Sequence, residues 1–296
     1  MRRDAFNFVH PAVSMLFFVF VTLITAFVLH PVVTGVSLIC ACVYYIFLKG
    51  RKAVAFILSF ALPVMILVSV INPLFNHAGT RILFYLWNGN AVTLEAVLYG
   101  LNSACMFAAL IVWCACLTCV MSSDKYVCLF GKALPTLSLL FSMVLRFVPR
   151  LLERIKLVSS AQESVAPPAG KSPVKGVRHG LSVISVTVSW ALESAVNISD
   201  SMKSRGYGLK GRTSYSLYRF DGRDLLLTVV IVASFAASAI ASAAKAVWFR
   251  YYPSIKFTPP GVWSALGCAA FLILCSVPML LNIEEGLTWR VLRSRI

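Results

Sequence analysis

Residues 181–208 read LSVISVTVSWALESAVNISDSMKSRGYG. Within them, Leu181, Ile184, Val188, Leu192, Ala195, Ile198 and Met202 recur at steps of three and four. That spacing predicts one apolar stripe along an α-helix. Gly206 follows the last stripe residue and suits the left-handed position that ends a helix. The triplet Ser204-Arg205-Gly206 therefore places an arginine at the tip of a rod. The surrounding segment is basic, whereas the rest of the chain is apolar.

Apolar residues make up 59% of the 296 and charged residues only 13%, and uncharged windows near twenty residues recur. This composition excludes an ordinary soluble domain and predicts an all-α, polytopic membrane protein. Six spans are expected at about 12–29, 32–48, 53–71, 94–121, 225–244 and 262–281. Met1-Arg2-Arg3 precedes an apolar run, but residues 4–11 intervene and no small-residue cleavage site follows. The first helix is therefore expected to be retained rather than removed as a signal peptide.

The formal net charge is +16. Its distribution argues against nucleic-acid binding, because 15 of the 27 Lys and Arg residues lie between Lys125 and Arg223. A concentration of this kind marks a cytoplasmic segment. Together with Arg2-Arg3, the Lys49-Gly50-Arg51-Lys52 turn and Arg290, Arg293 and Arg295, it predicts that both termini are cytoplasmic. Three regions are expected: 1–121 with four spans, 122–223 carrying the helices of the basic segment, and 224–296 with two spans. Cys116 and Cys119 form a CxxC, but no second cysteine pair or histidine neighbour supports a zinc site, and packing is the expected role. Glu95, at a span end, reads as a helix N-terminal charge.

The basic segment contains a second stripe: Leu137, Phe141, Val144, Val148, Leu151, Ile155 and Val158. Pro135 suits a first helical position, and Pro149 is expected to kink the helix. From Pro135 to Ser164 this helix spans about 45 Å at 1.5 Å per residue. The run Val165-Ala166-Pro167-Pro168-Ala169-Gly170-Lys171-Ser172-Pro173 reads as a surface loop, followed by the second helix from about Leu181 to Ser204. The two stripes are expected to form seams that bury against each other or beneath the membrane region.

These residues resemble the transmembrane (T) component of energy-coupling factor (ECF) transporters, the CbiQ-like or EcfT-like family. Arg146-Phe147-Val148-Pro149 is similar to that family's RF(I/V)P, Ala161-Gln162 to its AQ, and Trp190-Ala191-Leu192-Glu193 to its (S)LE. Ser201-Met202-Lys203-Ser204-Arg205-Gly206-Tyr207 resembles its MEARGY-type motif, and Arg223-Asp224-Leu225 its RDLL. The likeness is best between Arg146 and Asp224. The family carries an Ala-Arg-Gly-like triplet at both coupling helices. Here the first falls at Ser164-Val165-Ala166, where the arginine is missing, so that role carries over to Arg205 alone.

The resemblance implies a non-catalytic subunit in a prokaryotic cell membrane. Its partners are two cytoplasmic ATPases, a small membrane substrate-binding (S) component and the lipid bilayer. ATP and Mg are held by the ATPases, and no cofactor is bound by this chain, which has no Walker motif. ATP-driven closure of the ATPases moves the two coupling helices and tilts the S component, which captures a vitamin or a metal ion such as cobalt. An arginine suits an acidic groove through charge-assisted, bidentate contact. A substrate-binding permease of another ABC transporter type is the alternative; it too docks an ATPase, but the spans lack the broken, charge-lined helices of a midplane site. An intramembrane enzyme is disfavoured. His10, His30, His77 and His179 lie at span ends or in loops, and no HExxH, GxSxG or paired-Asp pattern occurs.

Overall fold

The computed structural model describes residues 5–77, 79–85, 91–131, 135–165, 173–207, 218, 220–257, 259 and 261–293. The chain divides into two compact units, one formed by residues 1–122 and 218–296 and the other by residues 123–217.

In the first unit, α1 (Pro11–Phe27) and α2 (Pro31–Lys49) begin with the same device. Pro11 and Pro31 open their helices, where a missing N–H costs nothing. The preceding histidines supply the cap. His10 Nδ1 accepts from the Ala12 amide at 3.2 Å, and His30 Nδ1 from the Val32 amide at 3.3 Å. Gly50, at φ +58°, separates α2 from α3 (Arg51–Phe56). This helix continues through one π turn, Ile57–Ala61, into α4 (Leu62–Phe75).

α5 (Leu94–Val120) runs against α2 and α4. Gly100 lets it approach closely, since a Cβ there would lie 3.0 Å from the Ser69 carbonyl oxygen. Before α5, β1 (Ile82–Tyr85) pairs antiparallel with β2 (Ala91–Thr93). Glu95 is buried and does more than face the helix dipole. Its carboxylate accepts from Thr80 Oγ1 at 3.0 Å and from the Arg81 amide at 3.2 Å, tying this loop to the helix.

α9 (Gly222–Ala243) and α10 (Val262–Arg293) complete the unit. Asp224 reaches back to accept from the Asp221 amide at 3.4 Å, so the Arg223-Asp224-Leu225 motif includes a helix cap. Between α9 and α10, β3 (Phe249–Arg250) pairs with β4 (Lys256–Phe257). The core is aromatic. Phe6, Phe17, Phe18 and Trp113 meet edge to face with centroids 5.2–6.2 Å apart, the geometry preferred by ring quadrupoles. Trp113 Nε1 donates to Ser37 Oγ at 3.0 Å, which also bonds Thr25 Oγ1 at 2.8 Å. The side-chain polar atoms of Trp113, Ser37 and Thr25, deep between apolar helices, are thus paired with one another, as lipid surroundings demand. Cys116 is a packing residue here, its Sγ 4.0 Å from the Ala41 carbonyl. Among the described residues no cluster of three His, Cys, Asp or Glu side chains suits a metal ion.

Among the described residues, six helices are long and apolar enough to cross a membrane: α2, the continuous α3–α4, α5, the 176–204 part of α8 (Pro173–Ser204), α9 and α10. The set differs from the six expected from sequence. α1 has only 17 residues, while α8 joins the set by length and composition.

The second unit contains α6 (Ser123–Gly131), α7 (Pro135–Val165) and α8 (Pro173–Ser204). α6 was not expected from sequence. It packs on α7, and Ser138 Oγ donates to the Val127 carbonyl at 2.8 Å. α7 passes through Pro149 as one continuous helix. α8 begins at Pro173, eight residues before the expected start. Pro173 suits a first helical turn, and Val177 extends the stripe by one step of four.

Candidate coupling-helix end

The two long helices reach about 46 and 48 Å at 1.5 Å per residue. Their ends differ. At the end of α8 the Gly206 amide donates to the Lys203 carbonyl at 3.0 Å, and the Tyr207 amide to the Met202 carbonyl at 3.0 Å. Gly206 has φ +77°. This is a Schellman closure, with Arg205 as the last half-helical residue and Gly206 as the left-handed one. Tyr207 and Met202, the positions of its usual apolar contact, line the same cleft. Ser204 Oγ turns back to the Ser201 carbonyl at 2.9 Å, so that hydroxyl belongs to the helix end. Arg205 itself is exposed. Lys203 and Arg205 both face the partial negative charge at the helix C-terminus, a favourable arrangement.

The end of α7 has the opposite character. Ser164 Oγ donates to the Ser160 carbonyl at 2.9 Å, Ser159 Oγ donates to Glu163 Oε1 at 3.2 Å, and Val165 is 88% exposed. Ala166 lies outside the described residues. An acid and an apolar residue occupy the helix C-terminus where α8 presents two cations.

The seam residues fall into two groups. On α7, Leu151, Ile155 and Val158 are half-buried, whereas Phe141, Val144 and Val148 are exposed. Leu137 lies within α7, and its side chain is outside the described set. On α8, Met202 is half-buried and lines the cleft together with Ile198. Leu181, Ile184, Val188 and Leu192 are exposed, and the buried positions of α8 are Val183 and Thr187. With 3.6 residues per turn, those positions lie about a quarter-turn or more around the helix from the stripe read in sequence. Three motif residues, Phe147, Gln162 and Trp190, join the helices together with Ser182. Phe147 stacks on Trp190 with centroids 6.0 Å apart, and Gln162 Nε2 donates to Ser182 Oγ at 2.9 Å. A tryptophan between two valine-rich faces was the available signal.

Helices of this length and composition define a polytopic helical membrane protein. No family model matches the chain. Over 98 residues it is 30% identical to the energy-coupling factor transporter transmembrane protein EcfT of Lactococcus lactis subsp. cremoris (strain MG1363). The match takes in 32% of this chain and 37% of that relative's length. This similarity supports a distant relationship to a transporter's transmembrane component.

Proposed function

We infer that this chain is the transmembrane coupling subunit of an ECF-type importer in a prokaryotic cell membrane, with both termini cytoplasmic. The observation that carries the reading is the α8 end: a 32-residue helix closed by a Schellman turn that leaves Arg205 exposed at its tip. The turn fixes the backbone at Arg205, so the ordering cost of entering an acidic groove of a partner ATPase falls on the side chain alone. Two ATPases bind and hydrolyse ATP with Mg, while this subunit performs no chemistry. The exposed apolar residues of α8, Leu181, Ile184, Val188 and Leu192, supply a surface for the small substrate-binding membrane component. That component captures the cargo, a vitamin or a metal ion. The tip at Ser164-Val165-Ala166 meets its ATPase without an arginine.

Purification of the tagged full chain in mild detergent tests the reading. It predicts co-purification with ATPase subunits and a small hydrophobic membrane protein. Recovery with ATPases and an extracytoplasmic or lipid-anchored binding protein instead would identify an ordinary importer permease.

A further inference from the structure

α7 and α8 are joined unequally along their length. Towards the end of α7, Gln162 Nε2 bonds Ser182 Oγ at 2.9 Å. Further along, Phe147 lies against Trp190 with ring planes only 10° apart, and the Arg154 guanidinium sits 5.4 Å from the same indole's centroid. Arg154 and Phe147 are seven residues apart, about two turns of α7, so one tryptophan is gripped from two levels of that helix. Arg154 Nε is buried without a hydrogen-bond partner among the described residues. On this side the grip is a cation–ring contact.

Past Trp190 the contact opens. Leu140, Met143 and Val144 of α7 and Ala195, Ile198 and Met202 of α8 line a mostly apolar cleft of about 450 Å³. Packed helix interfaces contain few voids larger than one water molecule, so the helices are not closed on each other here. Leu140 is 59% exposed and Val144 48%. Closure of the cleft buries such surface and is favoured by it. Lys203 and Tyr207 stand at the end nearest Arg205.

We propose that Trp190 is the fulcrum of α8. The helix is fastened to α7 from Ser182 to Trp190, and its free arm, residues 191–205 and about 22 Å long, swings across the apolar cleft carrying Arg205. A helix fastened at both Ser182 and Trp190 cannot slide along its neighbour, so motion at the Arg205 tip becomes bending of the arm beyond Trp190. This deepens the coupling role inferred above and rests on that reading only for its consequence in transport.

The test is a pair of electron–electron distance distributions on the full chain in lipid nanodiscs. Spin labels are attached to genetically encoded ketone side chains, which spares the nine native cysteines. One pair replaces Leu157 and Val186 on the fastened side, and the other replaces Ser142 and Ser201 on the cleft side. The 157–186 distribution is expected to be narrow, and the 142–201 distribution at least twice as broad. Trp190→Ala broadens the 157–186 pair at least twofold, and Trp190→Phe leaves it narrow. Should Trp190→Ala fail to fold, Arg154→Ala carries the same expectation. Equal widths for the two wild-type pairs, or a 157–186 width unmoved by these alanine variants, overturn the fulcrum. In the assembled complex, Trp190→Ala lowers uptake per ATP hydrolysed at least fivefold while the ATPases still co-purify. A wild-type chain that retains no ATPase defeats the coupling role instead, and the distance distributions then decide the fulcrum.

Discussion

The Tyr207 amide donates to the Met202 carbonyl at 3.0 Å, and both side chains line one apolar cleft. A single turn thus ends α8, anchors its last residue in an apolar surface and fixes the direction in which Arg205 leaves the helix. The closure is local: Gly206 supplies the left-handed conformation, and the residues on either side supply its hydrogen bonds.

Gly206→Val should loosen this end. A side chain in the left-handed region costs roughly 1–2 kcal/mol, more for a β-branched residue. Hydrogen exchange at the Arg205 and Tyr207 amides should then quicken by about 5–30-fold, with the middle of α8 unchanged. Unaltered exchange at those two amides would show that the turn does not depend on glycine.

Val165→Arg probes the other tip. Val165 is 88% exposed, so the new guanidinium stays in water and faces the favourable end of the helix dipole. Expression and folding should match wild type, and ATPase association should be equal or stronger. Loss of association would mean that the valine itself makes a required contact.

How much of this was legible in sequence depended on how local each feature is. The α8 end could be read because glycine, arginine and tyrosine act within one turn. The facing of the helices could not. α8 carries Val183 and Val186 as well as Leu181 and Ile184, so more than one face is apolar and spacing alone does not choose between them. The choice falls to contacts with α7, where Phe147 meets Trp190. α6 escaped notice because its nine residues are too short to display a stripe. The membrane spans were legible from apolar length, but α1 and α8 lie at the boundary of that criterion from opposite sides. Glu95 was legible as a helix-start charge; its bonds to Thr80 and Arg81 depend on how the preceding loop folds back.

The cap at His30 gives a pH dependence. Nδ1 accepts from the Val32 amide, so the neutral ring is the capping form, and burial holds this imidazole below its ordinary value of 6.5. A lowered folded-state value means that the unfolded chain takes up the proton first. The contribution of His30 to stability is therefore full above about pH 6.5 and is lost as the pH falls through the folded-state value. His30→Asn retains a capping acceptor and removes the titration. Thermal unfolding at successive pH values should show a smaller acid-side decline for the variant than for wild type. Superimposable profiles would remove His30 from the account.

Gly100→Val tests the approach of α4 to α5. A Cβ at position 100 lies 3.0 Å from the Ser69 carbonyl oxygen and 3.2 Å from Asn72 Cβ, so backbone rather than a flexible side chain has to yield. Overpacking of this kind costs about 1–3 kcal/mol. The unfolding temperature of the detergent-solubilised variant should fall measurably. An unchanged temperature would mean that the two helices separate freely at this point.

The central claim is that Arg205 transmits the work of an ATPase, and substrate uptake by cells carrying Arg205→Ala tests it most directly. The exposed side chain leaves no cavity when removed, so membrane expression should equal wild type, while ATP-driven uptake falls at least tenfold and the ATPases no longer co-purify in full yield. Wild-type uptake by a variant expressed at wild-type levels would contradict it.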